Sequence, residues 1–210
     1  MPETVEPTTS LEDETASLDT CPMSSDPGYL TNHLLIAMPA LADPNFVQTV
    51  TFVCEHNAQG ALGLVLNRAL DMRLDDVFEQ LDLPTGTLGI GQHPVLQGGP
   101  VQTDRGFVLH RGEGEWASTL KVSESIHVTT SRDILDALAR GQGPTEAVIA
   151  LGYAGWGPGQ LERELVENAW LSVPADDRIV FETPIEERWL AAGRLLGIDL
   201  ATISPDAGHA

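Results

Sequence analysis

Gly152-Tyr153-Ala154-Gly155-Trp156-Gly157-Pro158-Gly159-Gln160-Leu161-Glu162-Arg163-Glu164-Leu165-Val166-Glu167-Asn168-Ala169-Trp170 puts a strand end, a glycine-rich turn and a helix into one short run. Glycines at 152, 155, 157 and 159 describe a backbone that turns tightly or is approached closely, since glycine alone enters left-handed conformations without a Cβ penalty. Tyr153 and Trp156 bring two large aromatic surfaces to the same place. Just upstream, the apolar run Ala147–Leu151 predicts a central strand that feeds the turn and delivers Tyr153 and Trp156 to the sheet edge. Downstream, Pro158 suits the first turn of a helix carrying Leu161 and Leu165, and Trp170–Val173 reads as the next strand.

Toward the N-terminus, Leu34–Met38 reads as a first buried strand, followed by a turn over Pro39–Asn45. Thr49–Glu55 and Ala61–Leu66 alternate apolar residues and predict a hairpin closed through His56–Gly60, with Asn67 and Arg68 at its exit. Leu74, Val77, Phe78 and Leu81 share one helical face, with Asp71 placed to cap that helix. After a glycine-rich loop over Pro84–Gly91, Val95–Gln97 forms a short strand that runs into Gly98-Gly99-Pro100, and Gly106–His110 forms another. A polar loop over Arg111–Trp116 leads on to a strand at Ile126–Thr130. Ser131 then caps a helix carrying Ile134, Leu135 and Leu138, which stops at Gly141.

Near the C-terminus, Ile179–Glu182 reads as the last strand. Thr183 and Glu186 form a capping box around Pro184, ahead of a helix with Ile185, Trp189, Ala192 and Leu196 on one face and Gly197 at its end. The early hairpins and the lack of strict strand–helix alternation argue against a doubly wound parallel sheet. They predict an α+β fold with helices packed on a mixed, largely antiparallel sheet.

A chain of 210 residues with 42% hydrophobic content supports one sizeable core, expected over residues 29–200. Residues 1–28 hold seven acids and no base and carry too little apolar surface to offset the entropy of ordering, which predicts a disordered acidic leader. Residues 201–210 form a polar tail. The net charge is -20, and beyond the leader 24 acids still face 11 scattered bases. Such a surface repels phosphate backbones and anionic lipid, so a nucleic-acid partner is disfavoured and no membrane partner is expected. Cys21 and Cys54 make no disulfide framework, no secretory signal is visible, and no apolar run nears the roughly 18 residues of a membrane span, so a reduced cytoplasmic setting is expected.

Tests for chemistry return little. The only lysine, Lys121, follows no phosphate-binding loop, and no Gly-x-Gly-x-x-Gly occurs, so the glycine cluster reads as tight packing ahead of anion binding. The histidines are isolated along the chain and none stands four residues from another, so no metal site is expected. His110, ending a strand beside Arg111, is the most suggestive of them. Cys54 lies within an apolar alternation and reads as core, and no serine sits in a nucleophile elbow. Glu164 and Glu167 lie one helical turn apart but read as a solvated face ahead of a catalytic pair. No catalytic residue and no cofactor is assigned.

Six blocks stand in order: Leu34-Leu35-Ile36-Ala37-Met38-Pro39; Glu55-His56; Gly60-Ala61-Leu62-Gly63-Leu64-Val65-Leu66-Asn67-Arg68; Gly98-Gly99-Pro100-Val101; Gly106-Phe107-Val108-Leu109-His110; and Gly152-Tyr153-Ala154-Gly155-Trp156 with Gly159-Gln160-Leu161-Glu162. In this series the chain resembles the bacterial YqgE/AlgH family from about Leu30 to about Ile198. Ala69 departs from it, since the family places a proline after Asn-Arg, and a less rigid turn is expected there. The resemblance implies a single compact α+β domain with a bifurcated, barrel-like mixed sheet in the bacterial cytosol, and no established activity or cofactor. It also carries a transcriptional-regulator label tied to alginate production, although the chain shows no DNA-reading motif.

Three functions follow as expectations. The leading one is a non-enzymatic ligand-binding or regulatory interaction protein with a small-molecule or protein partner. In it Asn67, Arg68, Gly98, Gly99, His110, Trp156, Gln160 and Glu164 converge on one concave surface. The second is an enzyme such as a hydrolase, pairing His110 with Glu164. The third, a regulator that binds DNA directly, is disfavoured by charge.

Overall fold

The computed structural model describes residues 28–85, 89–112, 114 and 116–202. Residues 1–27 of the acidic leader and 203–210 of the tail lie outside the described residues. In chain order the elements are β1 (His33–Ala37), β2 (Val50–Asn57), β3 (Gly60–Val65), β4 (Ala69–Arg73), α1 (Leu74–Gln80), β5 (Pro94–Gln97), β6 (Val101–Arg111), β7 (Thr119–Lys121) and β8 (Ile126–Thr129). They continue with α2 (Arg132–Ala139), β9 (Ala147–Trp156), α3 (Gln160–Val166), β10 (Trp170–Pro174), α4 (Asp177–Phe181) and α5 (Arg188–Leu195). Short 3-10 turns stand at Gly89–Gln92 and Ile185–Glu187.

The sheet is mixed and forks along β9. Its main path runs β10-β1-β2-β3-β9-β6-β8-β7, with β4 and β5 as a side branch. Along one edge β9 is antiparallel to β6, with His110 opposite Ala147 and Val101 opposite Tyr153. Along its other edge it first runs parallel to β5, from Val95 opposite Ile149 to Gln97 opposite Leu151, and then antiparallel to β3, with Gly63 opposite Ala154 and Ala61 opposite Trp156. The exchange of partners falls at Gly152. There Gly98 bonds to both branches, its N–H donating to the Leu151 carbonyl (2.8 Å) and its carbonyl accepting from Val65 N–H (2.8 Å).

That crossing is why glycine occupies these positions. Gly152 has φ +73°, and a Cβ there would stand 2.5 Å from the Gly99 carbonyl oxygen. A Cβ on Gly98 would stand 2.3 Å from the Gly152 oxygen, and one on Gly99 2.1 Å from the Tyr153 carbonyl carbon. Three backbones pass where no side chain fits, and the glycines serve the fork.

β1 is buried on both faces, and its alternation feeds two cores. Leu34 and Ile36 join Phe52, Leu64, Leu109 and Trp189 beneath α4 and α5, while Leu35 and Ala37 join Val53, Trp156, Leu161 and Trp170 against α3. A third core sets Leu74 and Phe78 of α1 and Ile134 and Leu138 of α2 on Val95, Val108 and Ile149. Cys54 is a free, buried thiol, and its burial pushes its pKa well above the ordinary thiol range.

Several local expectations change in the tertiary setting. Ile179–Glu182 is not a strand, because Asp176 accepts Arg178 N–H (2.8 Å) and caps the short helix α4, which buries Ile179 and Val180. The Thr183–Glu186 capping box does not form; the Thr183 hydroxyl donates back to the Arg178 carbonyl (3.0 Å) and the chain enters α5 through a 3-10 turn. Asp71 lies within β4 and not at a helix cap; Asp76 accepts Arg73 N–H (2.7 Å) at the head of α1. Ser131 precedes α2 without capping it, its hydroxyl donating to Asp133. The short strands β4, whose Leu70 and Met72 alternate with exposed residues, and β7, exposed throughout, form against β5 and β8. Ala69 opens β4 opposite Leu96. β9 runs on through its glycines to Trp156, which places Tyr153 and Trp156 in the middle of the sheet and not at its edge.

Candidate functional site

Five of the residues singled out in the sequence meet around one loop. At the end of β9, Glu164 accepts the indole N–H groups of Trp156 (2.9 Å) and Trp170 (2.8 Å) on one oxygen, and the Gln160 amide (2.8 Å) on the other. Gly159, at φ +67°, starts α3 so that Gln160 also accepts Gly157 N–H (3.0 Å). Phe46 closes the cluster, stacked on Trp156 (6.2 Å between centroids) and edge-on to Trp170 (5.4 Å). Its loop is held by Asn67, which accepts Val50 N–H (3.0 Å) and donates to the Gln48 carbonyl (2.8 Å), and by Arg68, which donates to the Val47 carbonyl (3.2 Å).

This cluster is filled. Trp156 and Trp170 are 5% and 3% exposed, so the two indoles are core anchors and leave no open stacking platform. Three N–H donors converge on the Glu164 carboxylate, which makes it a fixed acceptor that orients α3 against β9 and β10.

The structure does not gather the eight residues on one surface. Gly98 and Gly99 belong to the fork. His110 lies opposite Ala147 at the start of β9, whereas Glu164 holds Trp156 at its end. β9 is 10 residues long, and at about 3.3 Å per residue roughly 30 Å of strand separates the two. The His110–Glu164 hydrolytic pair is therefore not assembled.

His110 belongs to a different network. It is fully buried on β6, with Trp116 edge-on at 4.8 Å and His127 stacked at 5.7 Å. Nε2 lies 2.9 Å from the Thr129 hydroxyl, which lies 2.8 Å from the Thr119 hydroxyl. Nδ1 is buried and meets no partner among the described residues. A buried unpaired N–H is dearer than a buried unpaired lone pair, so the proton belongs on Nε2. His110 then donates to Thr129, Thr129 to Thr119, and Thr119 to the Trp116 carbonyl (3.4 Å). Burial first, and His127 second, lower the His110 pKa to about 4.

Thr129 forms the border between this network and an open groove. Residues of α1, α2, β6, β8 and β9 together line a cavity of about 350 Å³. Val108, Ile149 and Leu151 make its floor, and Val77 of α1 and Leu135 of α2 its walls. On β6, pairing jumps from Val101–Tyr153 to Gly106–Leu151, which leaves Gln102–Arg105 outside the ladder, exposed, with Asp104 at the groove's mouth. Across the mouth stand Thr130, Ser131 and Arg132, and the Arg132 guanidinium donates to the Leu81 carbonyl at the end of α1.

None of the groove-lining residues was singled out as a site residue in the sequence. The apolar faces of α1 and α2 are legible there, but both read as ordinary core, and only the topology leaves their junction partly open. Among the described residues, no three His, Cys, Asp or Glu side chains gather where they could hold a metal ion. No helix among them is long and apolar enough to cross a membrane.

These features define an α+β protein built on a curled, forked sheet, with polar side chains securing the scaffold and an apolar-floored groove at the α1–α2 junction. The AlgH-like family model matches residues 34–201, and the chain belongs to that family. It is similar to a UPF0301 protein of Nitrosococcus oceani, with 54% identity over 182 residues that cover 87% of this chain and 97% of the relative. A UPF0301 protein of Methylococcus capsulatus is 51% identical over 187 residues, covering 89% and 100%. The solution structure of the AlgH protein from Pseudomonas aeruginosa is similar over 89% of this chain and 98% of that one, with a TM-score of 0.72 and 52% identity. A crystal structure from Corynebacterium diphtheriae, 19% identical with a TM-score of 0.66 over 81% of this chain and 89% of that one, shares the fold.

Proposed function

We propose that this chain is a ligand-binding or regulatory interaction protein, and that its ligand site is the groove between α1 and α2. The observation that carries this reading is the groove itself, about 350 Å³ with an apolar floor and a polar rim. Small-molecule sites have this character: a concave, mostly apolar surface with a few placed polar groups. The polar clusters that the sequence made conspicuous support binding over turnover, since Glu164 is engaged by three N–H donors and His110 is a donor to Thr129.

A regulator that contacts DNA directly finds little support in the charge distribution. Arg111, Lys121, Arg140 and Arg178 are ion-paired to acids, and Arg188 is buried against the Leu66 and Thr183 carbonyls. A cytoplasmic protein that senses a small molecule and passes the signal to another protein fits better.

A thermal-shift screen tests the reading, because a ligand that binds only the folded state raises the melting temperature. The screen compares wild type with Leu135→Trp, which fills the groove, against amino acids, organic acids, nucleotides and short oligonucleotides. At least one small-molecule class stabilises wild type and leaves Leu135→Trp unmoved. Equal shifts in both proteins, or shifts from oligonucleotides alone, would remove the groove as the site.

A further inference from the structure

The groove's rim specifies a ligand class, an inference that rests on the groove being a small-molecule site. Its volume of about 350 Å³ lies at the lower end of the roughly 300–1,000 Å³ that such sites span, which favours a metabolite with a single apolar body over a nucleotide or a long lipid chain. Two charges of opposite sign line the mouth, Asp104 on the outlying stretch of β6 and Arg132 at the start of α2.

Their sequence neighbours do not neutralise them. Asp133, next to Arg132, is engaged elsewhere: its carboxylate accepts Ala117 N–H (2.8 Å), Ile134 N–H (3.0 Å) and the Ser131 hydroxyl. Those bonds hold the Asp133 pKa below the usual carboxylate value although burial opposes the shift, so it stays ionised at the head of α2. Arg105, next to Asp104, lies over the Phe107 ring (5.4 Å) and donates to the Gln102 side chain (3.4 Å). Among the described residues, Arg132 bonds to the Leu81 carbonyl and forms no ion pair. A monoanion in the groove would satisfy Arg132 and stand near Asp104, and a monocation would do the reverse.

We infer that the groove takes a small zwitterion with an apolar body, of the class of aliphatic and aromatic α-amino acids. The carboxylate pairs with Arg132, assisted by the Thr130 hydroxyl, the ammonium pairs with Asp104, and the side chain lies on Val108, Ile149 and Leu135. Both rim charges are exposed, so each contributes about threefold to affinity, the size that exposed ion pairs give, while the apolar body supplies the rest.

Calorimetric titration of the full chain with L-phenylalanine, phenethylamine and 3-phenylpropionate tests this, because the three share one apolar body and differ only in charge. Phenylalanine binds tightest, about threefold ahead of each singly charged probe. Arg132→Gln makes phenylalanine and phenethylamine equal, Asp104→Asn makes phenylalanine and 3-phenylpropionate equal, and Leu135→Trp, checked for an unchanged circular dichroism spectrum, abolishes all three. If a singly charged probe binds wild type as well as phenylalanine does and Leu135→Trp still blocks it, the zwitterion is wrong and the groove stands. If the probes bind Leu135→Trp as they bind wild type, both inferences fall. If none binds, the ligand class is refuted, and the groove is judged by the broader screen alone.

Discussion

Acidification tests the buried His110 network directly. In the unfolded chain this imidazole protonates near 6.5, whereas in the fold burial and the stacked His127 lower its pKa to about 4. The unfolded state therefore binds the proton first as pH falls. Stability is complete above about pH 6.5 and is lost progressively as the pH drops toward 4. With those two pKa values, linkage gives a loss of roughly 2–3 kcal/mol between about pH 7.5 and about pH 4.5 from this one residue. Other groups titrate in the same interval, so the assay needs a reference that differs only at this site. His110→Gln retains an N–H donor near the Nε2 position, and with it the bond to Thr129, but does not titrate. Urea unfolding of both proteins at the two pH values isolates the difference. Wild type loses roughly 2–3 kcal/mol more than His110→Gln on acidification. A difference between the two proteins that stays constant with pH would refute the claim that burial holds this histidine neutral. A wild type that gains relative to the variant would show instead that the network accepts a proton.

Other perturbations probe the scaffold. Gly152→Ala sets a Cβ 2.5 Å from the Gly99 oxygen at a left-handed φ of +73°, so it should cost about 3 kcal/mol or more and lower the melting temperature sharply; a near-neutral effect would mean that the fork relaxes freely. Glu164→Ala leaves two buried indole N–H groups without their acceptor, a loss of about 2–4 kcal/mol in denaturant unfolding. Glu164→Gln keeps one acceptor oxygen and should lose less, so equal losses would contradict the proposed geometry. Asp176→Ala removes the cap of α4 and should cost about 1 kcal/mol, readable as a shift in the urea midpoint; no shift would show that packing alone sets the helix start.

Local pattern carried much of the fold. The alternate apolar residues Val50, Phe52 and Cys54 placed β2, although Val53 between them fills the opposite core, and the helical spacing of Leu74, Val77, Phe78 and Leu81 placed α1 through the period of its buried face. Ile179–Glu182 misled because a single helical turn buries two adjacent apolar residues much as a strand does, and the Asp176 cap that decides between them is settled by geometry. β4 and β7 are too short, five and three residues, to leave a readable period, and they become strands only by pairing with β5 and β8. Gly98 and Gly99 stood among the candidate ligand residues, and only the tertiary structure shows that the backbone lying against them is β9 of this chain.

The sequence by itself determined the class of fold, the net acidic charge, the buried Cys54, and the need for close backbone approach or a tight turn around Gly152. Each of these follows from composition or from near-neighbour periodicity. The tertiary structure alone decided that β9 exchanges β5 for β3 at Gly152, that His110 and Glu164 sit at opposite ends of that strand, and that the apolar faces of α1 and α2 leave a groove between them. Those outcomes depend on which distant segments pair and on where two helices seat on the sheet, and long-range registers of that kind leave no period in the local sequence.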